Sequence, residues 1–148
     1  MRCPKKNEQD TEGLGRSKGG FSTKIHAVCD ALGNPLRFII TPGQRNDCTQ
    51  AIELLEGLRA EAVLADKGYD ANTIVEAVEA SGAVAVIPTK ANRKIPREID
   101  VELYKERHKI ECLFGFLKHY RRLFSRFDKR KTIFSAFLHF VATLIWLK

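Results

Sequence analysis

The chain has 148 residues, 44% of them hydrophobic; that is enough for one domain with its own core and too apolar for a disordered segment. Net charge is +7 and the pI about 9.4, which favours a polyanionic partner such as nucleic acid. There is no secretory signal, and Cys3, Cys29, Cys48 and Cys112 form no Cys-x-x-Cys pair; reduced thiols in a cytoplasm are expected, and zinc is disfavoured.

Residues 1–20, "MRCPKKNEQDTEGLGRSKGG", predict a flexible glycine-rich arm. Their glycines fit neither the phosphate-loop nor the dinucleotide pattern. In "FSTKIHAVCDALGNPLRFIITPG", Phe21, Thr23, Ile25, Ala27 and Cys29 alternate with Ser22, Lys24, His26 and Val28. With the turn "DALGNP" and the strand "LRFII", this predicts a hairpin closed by Pro42 and Gly43. "NDCTQAIELLEGL" predicts a helix, with Asp47 and Gln50 spaced as in a capping box and an end near Gly57. "AVLADKGYD" reads as a short buried strand and a turn, "ANTIVEAVEASG" as a helix ending at Gly82, and "AVAVIP" as a second buried strand. A basic connection leads to two long helices over residues 100–122 and 132–147. The apolar tail is short for a membrane span and carries His139, so it reads as a buried helix. A hairpin followed by alternating helix and strand predicts an α/β fold with a mixed sheet.

The positive charge is concentrated. Lys90–Lys131 hold 14 Lys and Arg against 6 Asp and Glu, a net of +8, and the rest of the chain is nearly neutral. Inside this stretch, "YKERHKIECLFGFLKHYRR" sets Glu111 among bases. On an unbroken helix at about 100° per residue, Tyr104, Arg107, Glu111 and Lys118 fall within an arc of about 60°. Gly115 and Arg122 lie beside them, and Leu103, Ile110, Leu113, Phe114, Leu117 and Tyr120 fill the opposite face. An i,i+4 ion pair of Arg107 with Glu111 explains part of this stripe but not Lys118. A carboxylate kept ionised by cations is a hard-cation ligand, and the bases around it suit a phosphate backbone. The best second acid is Asp66, at a strand end. Asp70 reads as the cap of the next helix, Asp30 as a turn residue and Asp47 as a helix start.

Tyr104-x2-Arg107-x3-Glu111-x6-Lys118 resembles the Y-R-E-K signature of DDE transposases from bacterial insertion sequences, the IS-four/IS-five superfamily. "LADKGYD" is similar to their second-acid motif. "GRSKGGFSTKIHAVCD" and "RFDKRKTIFSAFLHFVATLIWL" resemble flanking segments of the IS-five type. The resemblance implies a ribonuclease-H-like fold over residues 21–148, lacking its first strand, with Asp66 as second and Glu111 as third metal-binding catalytic acid. It also implies Mg²⁺ or Mn²⁺ as cofactor. Tyr104, Arg107, Lys118 and Arg122 would act at DNA, meaning the element's ends and its target. The first aspartate has no match on a strand before Gly13, and Asp10 lies in a polar run. The chain is therefore expected to be the downstream half of a transposase, partnered by an upstream segment and by further copies of itself as a homo-oligomer, with no membrane association. Asp66 and Glu111 are expected to converge at the end of a strand. A catalytically silent DNA-binding regulator would need the same basic face but neither acid.

Overall fold

The computed structural model describes residues 12–17 and 20–148; Asp10 and most of the predicted arm lie outside them. In chain order the elements are β1 (Gly15–Ser17), β2 (Gly20–Cys29), β3 (Pro35–Pro42), α1 (Ala51–Leu55), β4 (Ala62–Leu64), α2 (Asn72–Ala80), β5 (Val84–Val86), α3 (Val101–Lys105), α4 (His108–Lys118), α5 (Arg121–Phe124) and α6 (Lys131–Trp146). Single 3-10 turns cover Asp47–Gln50 and Lys67–Tyr69. The chain divides into two compact units, Met1–Arg45 with Ile110–Lys148, and Asn46–Lys109. The class is mixed α/β, but the predicted single mixed sheet is not observed: the described strands form one antiparallel sheet of three and one parallel pair, because no backbone pairing joins β4 or β5 to the hairpin.

In the first unit, β1, β2 and β3 form an antiparallel sheet in that order. The predicted hairpin is β2 with β3, running from Thr23 opposite Pro42 to Cys29 opposite Pro35. Its turn is local chemistry: Asp30 Oδ1 accepts from the backbone N–H of Leu32 (2.9 Å) and of Asn34 (2.8 Å). Gly33 takes a φ of 90°, which a β-carbon would disfavour. Gly15–Ser17, placed in the arm by sequence, instead extend the sheet by pairing with Gly20–Ser22. Three residues of backbone pairing leave no alternation to read.

The period-two pattern of β2 holds. Ile25, Ala27 and Cys29, with Phe38 and Ile40 of β3, pack against Leu113 and Leu117 of α4, Leu123 of α5, and Phe134, Leu138 and Val141 of α6. On the other face His26 is also buried, its Nε2 2.7 Å from the Thr41 hydroxyl. The end of α6 is tied to the hairpin by Trp146 Nε1, which donates to Pro35 O at 2.9 Å. Between α5 and α6, Arg126 adopts a φ of 42°. Its guanidinium lies over the Phe134 ring and donates to Gly13 O (2.9 Å), to Glu12 O (2.5 Å) and to the Thr23 hydroxyl. Those bonds offset the cost of a left-handed residue, about 1–2 kcal/mol. Among the described residues no helix is long and apolar enough to cross a membrane.

In the second unit, β4 and β5 pair in parallel, Ala62 opposite Val84 and Leu64 opposite Val86, with α2 as the crossover. α2 turns Ile74 and Val75 into a small core with Ala51 and Ile87. Its predicted end is observed, with Gly82 at a φ of 86°. The helix that starts near residue 47 is capped by Asn46, not Asp47: Asn46 Oδ1 accepts from Cys48 N (3.2 Å).

The first of the two long helices is not continuous. It comprises α3, α4 and α5. Asp100 caps α3 by accepting from Leu103 N (2.9 Å). At its other end, His108 Nδ1 donates to the Lys105 carbonyl (2.9 Å), which an unbroken helix would offer to Lys109 N. Lys109 N goes to Glu106 O instead (3.0 Å), and Glu106 and Arg107 make similar short-range bonds to Leu103 and Tyr104. The ring of His108 thus ends one helix and starts another. Tyr104 lies on α3, Arg107 on the turn, and Glu111 and Lys118 on α4, so the four do not share one helical wheel. Leu103, expected in the core, is exposed.

Candidate functional site

Asp66 stands just beyond β4. It is the N-cap of the Lys67–Tyr69 turn, and its Oδ1 accepts from Gly68 N at 2.7 Å. The side chain is exposed, and β4 itself is only half-buried, less than its apolar residues predict. Two contacts hold this turn from behind. The Cys48 thiol donates to Gly68 O (2.6 Å), and Tyr69 packs against the second core. Burial, then the charges of Asp47 and Asp66, push the Tyr69 phenol up to about 12, so it stays protonated beside Asp66.

Gly68 has a steric reason to be glycine. A β-carbon there would lie 2.7 Å from Asp66 Oδ1, below any contact real β-carbons make. Gly68→Ala is expected to turn the Asp66 carboxylate away and to break its cap. The cost should be about 1 kcal/mol, the usual value of an N-cap, read as a small fall in melting temperature. An unchanged melting temperature would mean that the cap contributes nothing.

Asp70, four residues on, has a different role. It does not cap α2, whose N-cap is Ala71 without a side-chain bond. It is 6% exposed and accepts from Lys90 N (2.8 Å), Arg93 Nε (3.1 Å) and Arg97 Nη1. Asn72 Oδ1 accepts from the same two guanidinium groups, at 2.7 and 2.8 Å. Burial alone would raise the Asp70 pKa; the Lys90 N–H, the Arg97 bond and the two cationic charges outweigh it and hold the carboxyl below its ordinary range. Asp70 therefore clamps the basic connection after β5. Sequence reasoning counted Arg93 and Arg97 in the basic stretch facing DNA. The only available signal was their spacing, two arginines four residues apart.

The remaining candidates divide between the units. In the second, the Arg107 guanidinium lies over the Tyr104 ring at 5.6 Å. In the first, Glu111 and Lys118 are both exposed and about 20° apart around α4. Gly115 lies between them in sequence, and a β-carbon added there would meet nothing within 4 Å. Leu113 and Leu117 occupy the buried side, as the periodicity predicts. Arg122 forms a two-pronged pair with Asp128, Nε and Nη2 each 2.7 Å from a carboxylate oxygen, and stacks over Phe137. That pair lowers the Asp128 pKa and raises that of Arg122. Among the described residues no group of three His, Cys, Asp or Glu is placed to hold a metal ion. A groove of about 500 Å³ lined by Glu12, Lys131, Ser135 and His139 contains none of the candidate residues.

Comparison with known proteins agrees with the motif. Residues 1–147 match the family described as the transposase DDE domain. A candidate transposase for insertion sequence element IS6501 from Brucella ovis is 46% identical over 133 residues, covering 86% of this chain and all of that protein. A candidate transposase for insertion sequence element IS402 from Burkholderia cepacia is 35% identical over 135 residues, 83% of this chain, and the chain spans only 62% of its length. No solved structure matches.

Proposed function

The chain belongs to the DDE transposases, and from that premise we propose that it serves DNA strand cleavage and joining by an insertion-sequence transposase of the IS-five type. In this reading it is the downstream part of a ribonuclease-H-like catalytic domain. An upstream transposase segment supplies the first aspartate. An antiparallel hairpin and a parallel strand pair joined by a helix are components that such a fold requires. Asp66 and Glu111 are the two carboxylates contributed here.

One observation carries the reading: the contrast between the two acids of "ADKGYD". Asp70 is buried and committed to two arginines, whereas Asp66 is exposed and fixed by its own turn. The acid that matches the family motif is thus the one available for chemistry. Carboxylate oxygens of this kind suit Mg²⁺ or Mn²⁺, which when bound would activate the attacking oxygen and stabilise the leaving one. Lys118, Arg107 and Tyr104 would hold the DNA backbone. Arg122 would reach a phosphate only by giving up Asp128.

The test joins the chain to the upstream segment and measures binding and Mg²⁺-dependent cleavage of the element's ends. Three phosphates neutralised by Arg107, Lys118 and Arg122 would lower affinity by about 40-fold between about 50 and 200 mM salt. Asp66→Ala and Glu111→Ala should keep that binding and lose cleavage by about 10³-fold, the equivalent of several kcal/mol of transition-state stabilisation. Cleavage that survives both substitutions overturns the assignment of the acids. Salt-independent binding overturns the DNA reading. Binding with no cleavage in the joined protein favours the silent regulator.

A further inference from the structure

The turn from α5 into α6 exposes two phenyl rings. Phe124 is 69% exposed and Phe127 64%. Both sit where α5 ends, and the ending is of a kind that glycine usually makes. Phe127 N donates to Arg122 O (3.4 Å) and Arg126 N to Leu123 O (3.3 Å), with Arg126 in the left-handed position. Such a turn often packs the residue after the left-handed one against the helix it closes. Here that residue is Phe127. The helix position it would cover is Arg122, whose guanidinium is taken by Asp128 and lies over Phe137. Phe127 is left in solvent. Among the described residues neither phenyl contacts another ring.

The same turn is cationic. Arg121 to Lys131 hold six Lys and Arg against one acid, Asp128, which is already paired with Arg122. Arg121, Lys129 and Arg130 are exposed, each within three residues of a ring in sequence. The turn is anchored on its inner side by the buried Leu123 and by Arg126, which reaches Glu12, Gly13 and Thr23. Its outer side therefore combines two flat apolar faces with three available cations.

We propose that Phe124 and Phe127 are a stacking platform for unpaired bases of a DNA strand. A nucleotide is a flat base joined to an anion, which is the complement of a phenyl ring beside a cation. In a duplex the base faces cover one another, so the rings select a single strand or an opened end. Cations alone would hold duplex phosphates without that preference. An apolar protein surface fits less well, because it would strip water from Arg121, Lys129 and Arg130 without pairing them. An anionic lipid surface offers the same charge, but the match to the transposase family selects nucleic acid. The proposal rests on the reading of the chain as a DNA-binding protein. It goes beyond that reading because it uses neither acid, nor Tyr104, Arg107 or Lys118, and because its ligand is the base and not only the phosphate.

The experiment measures binding of the full 148-residue chain to a labelled oligodeoxythymidine, to a duplex of equal length and to phosphatidylserine vesicles, at one low salt concentration. Phe124→Leu and Phe127→Leu keep apolar bulk and lose the ring. Each should weaken single-strand binding by about fivefold, the lower end of what a stacked base contributes. Phe127→Tyr, which keeps a ring, should bind like the parent. Duplex binding and melting temperature should not change in any of them, because both side chains are mostly exposed. Leucine variants that bind the single strand as the parent does overturn the proposal, and so does an equal loss for single strand and duplex; in both cases duplex binding by the parent leaves the DNA reading standing. A chain that binds neither strand nor duplex overturns both. Vesicle binding that falls in the leucine variants, with single-strand binding unchanged, assigns the rings to a lipid surface and overturns the proposal as well.

Discussion

Replacing Asp70 with alanine is expected to destabilise the second unit by about 3 kcal/mol, at the lower end of the range for breaking a buried ion pair. The substitution removes the acceptor of three hydrogen bonds, two of them from guanidinium groups. Arg93 and Arg97 are partly exposed, at 30% and 25%, and can rehydrate, which keeps the loss at that lower end. Asp70→Asn keeps the size and one acceptor and should lose less. The pH dependence has a definite sign. The folded pKa is depressed, so the stabilisation is complete above the unfolded value of about 3.9 and disappears as pH falls through the folded value. Urea melts of parent and Asp70→Asn should therefore differ most near neutral pH and converge in strong acid. A gap below about 1 kcal/mol at neutral pH would mean that the clamp is not structural.

The second large effect is expected at Phe134. It is 1% exposed in the centre of the first core, and Arg126 lies over its ring at 4.9 Å. Phe134→Ala should cost about 3–5 kcal/mol through lost burial and the cavity left behind. It also removes the seat of Arg126, which ties Glu12, Gly13 and Thr23 to the start of α6. Domains are stable by only about 5–15 kcal/mol, so much of the cooperative transition should be lost. Phe140→Ala, the same change six residues along the same helix, should stay within about 1 kcal/mol, because that side chain is mostly exposed. Equal losses at the two positions would contradict the observed face of α6.

The helix–strand order and its turns were legible because each is set by neighbours in the chain. Asp30 satisfies N–H groups two and four residues away, Gly33 permits its own turn, and Gly82 closes the helix it follows. Asp66 and Glu111 are proposed on the family motif, because spacing along the chain is what a motif records. Asp70 was misread because an acid just before a helix ordinarily caps it. Its real partners lie 23 and 27 residues further on, where no local pattern points. Arg122 likewise gave no sign of Asp128, and residues 104–109 are too good as helix formers to announce that the His108 ring takes a helix carbonyl. α6 shows the division most directly. Its apolar residues recur at helical spacing, so sequence determined that the segment is an apolar helix. Tertiary packing decided that Phe134, Leu138 and Val141 go inside and Phe140 does not, because burial depends on which neighbouring surfaces arrive, and those come from distant parts of the chain.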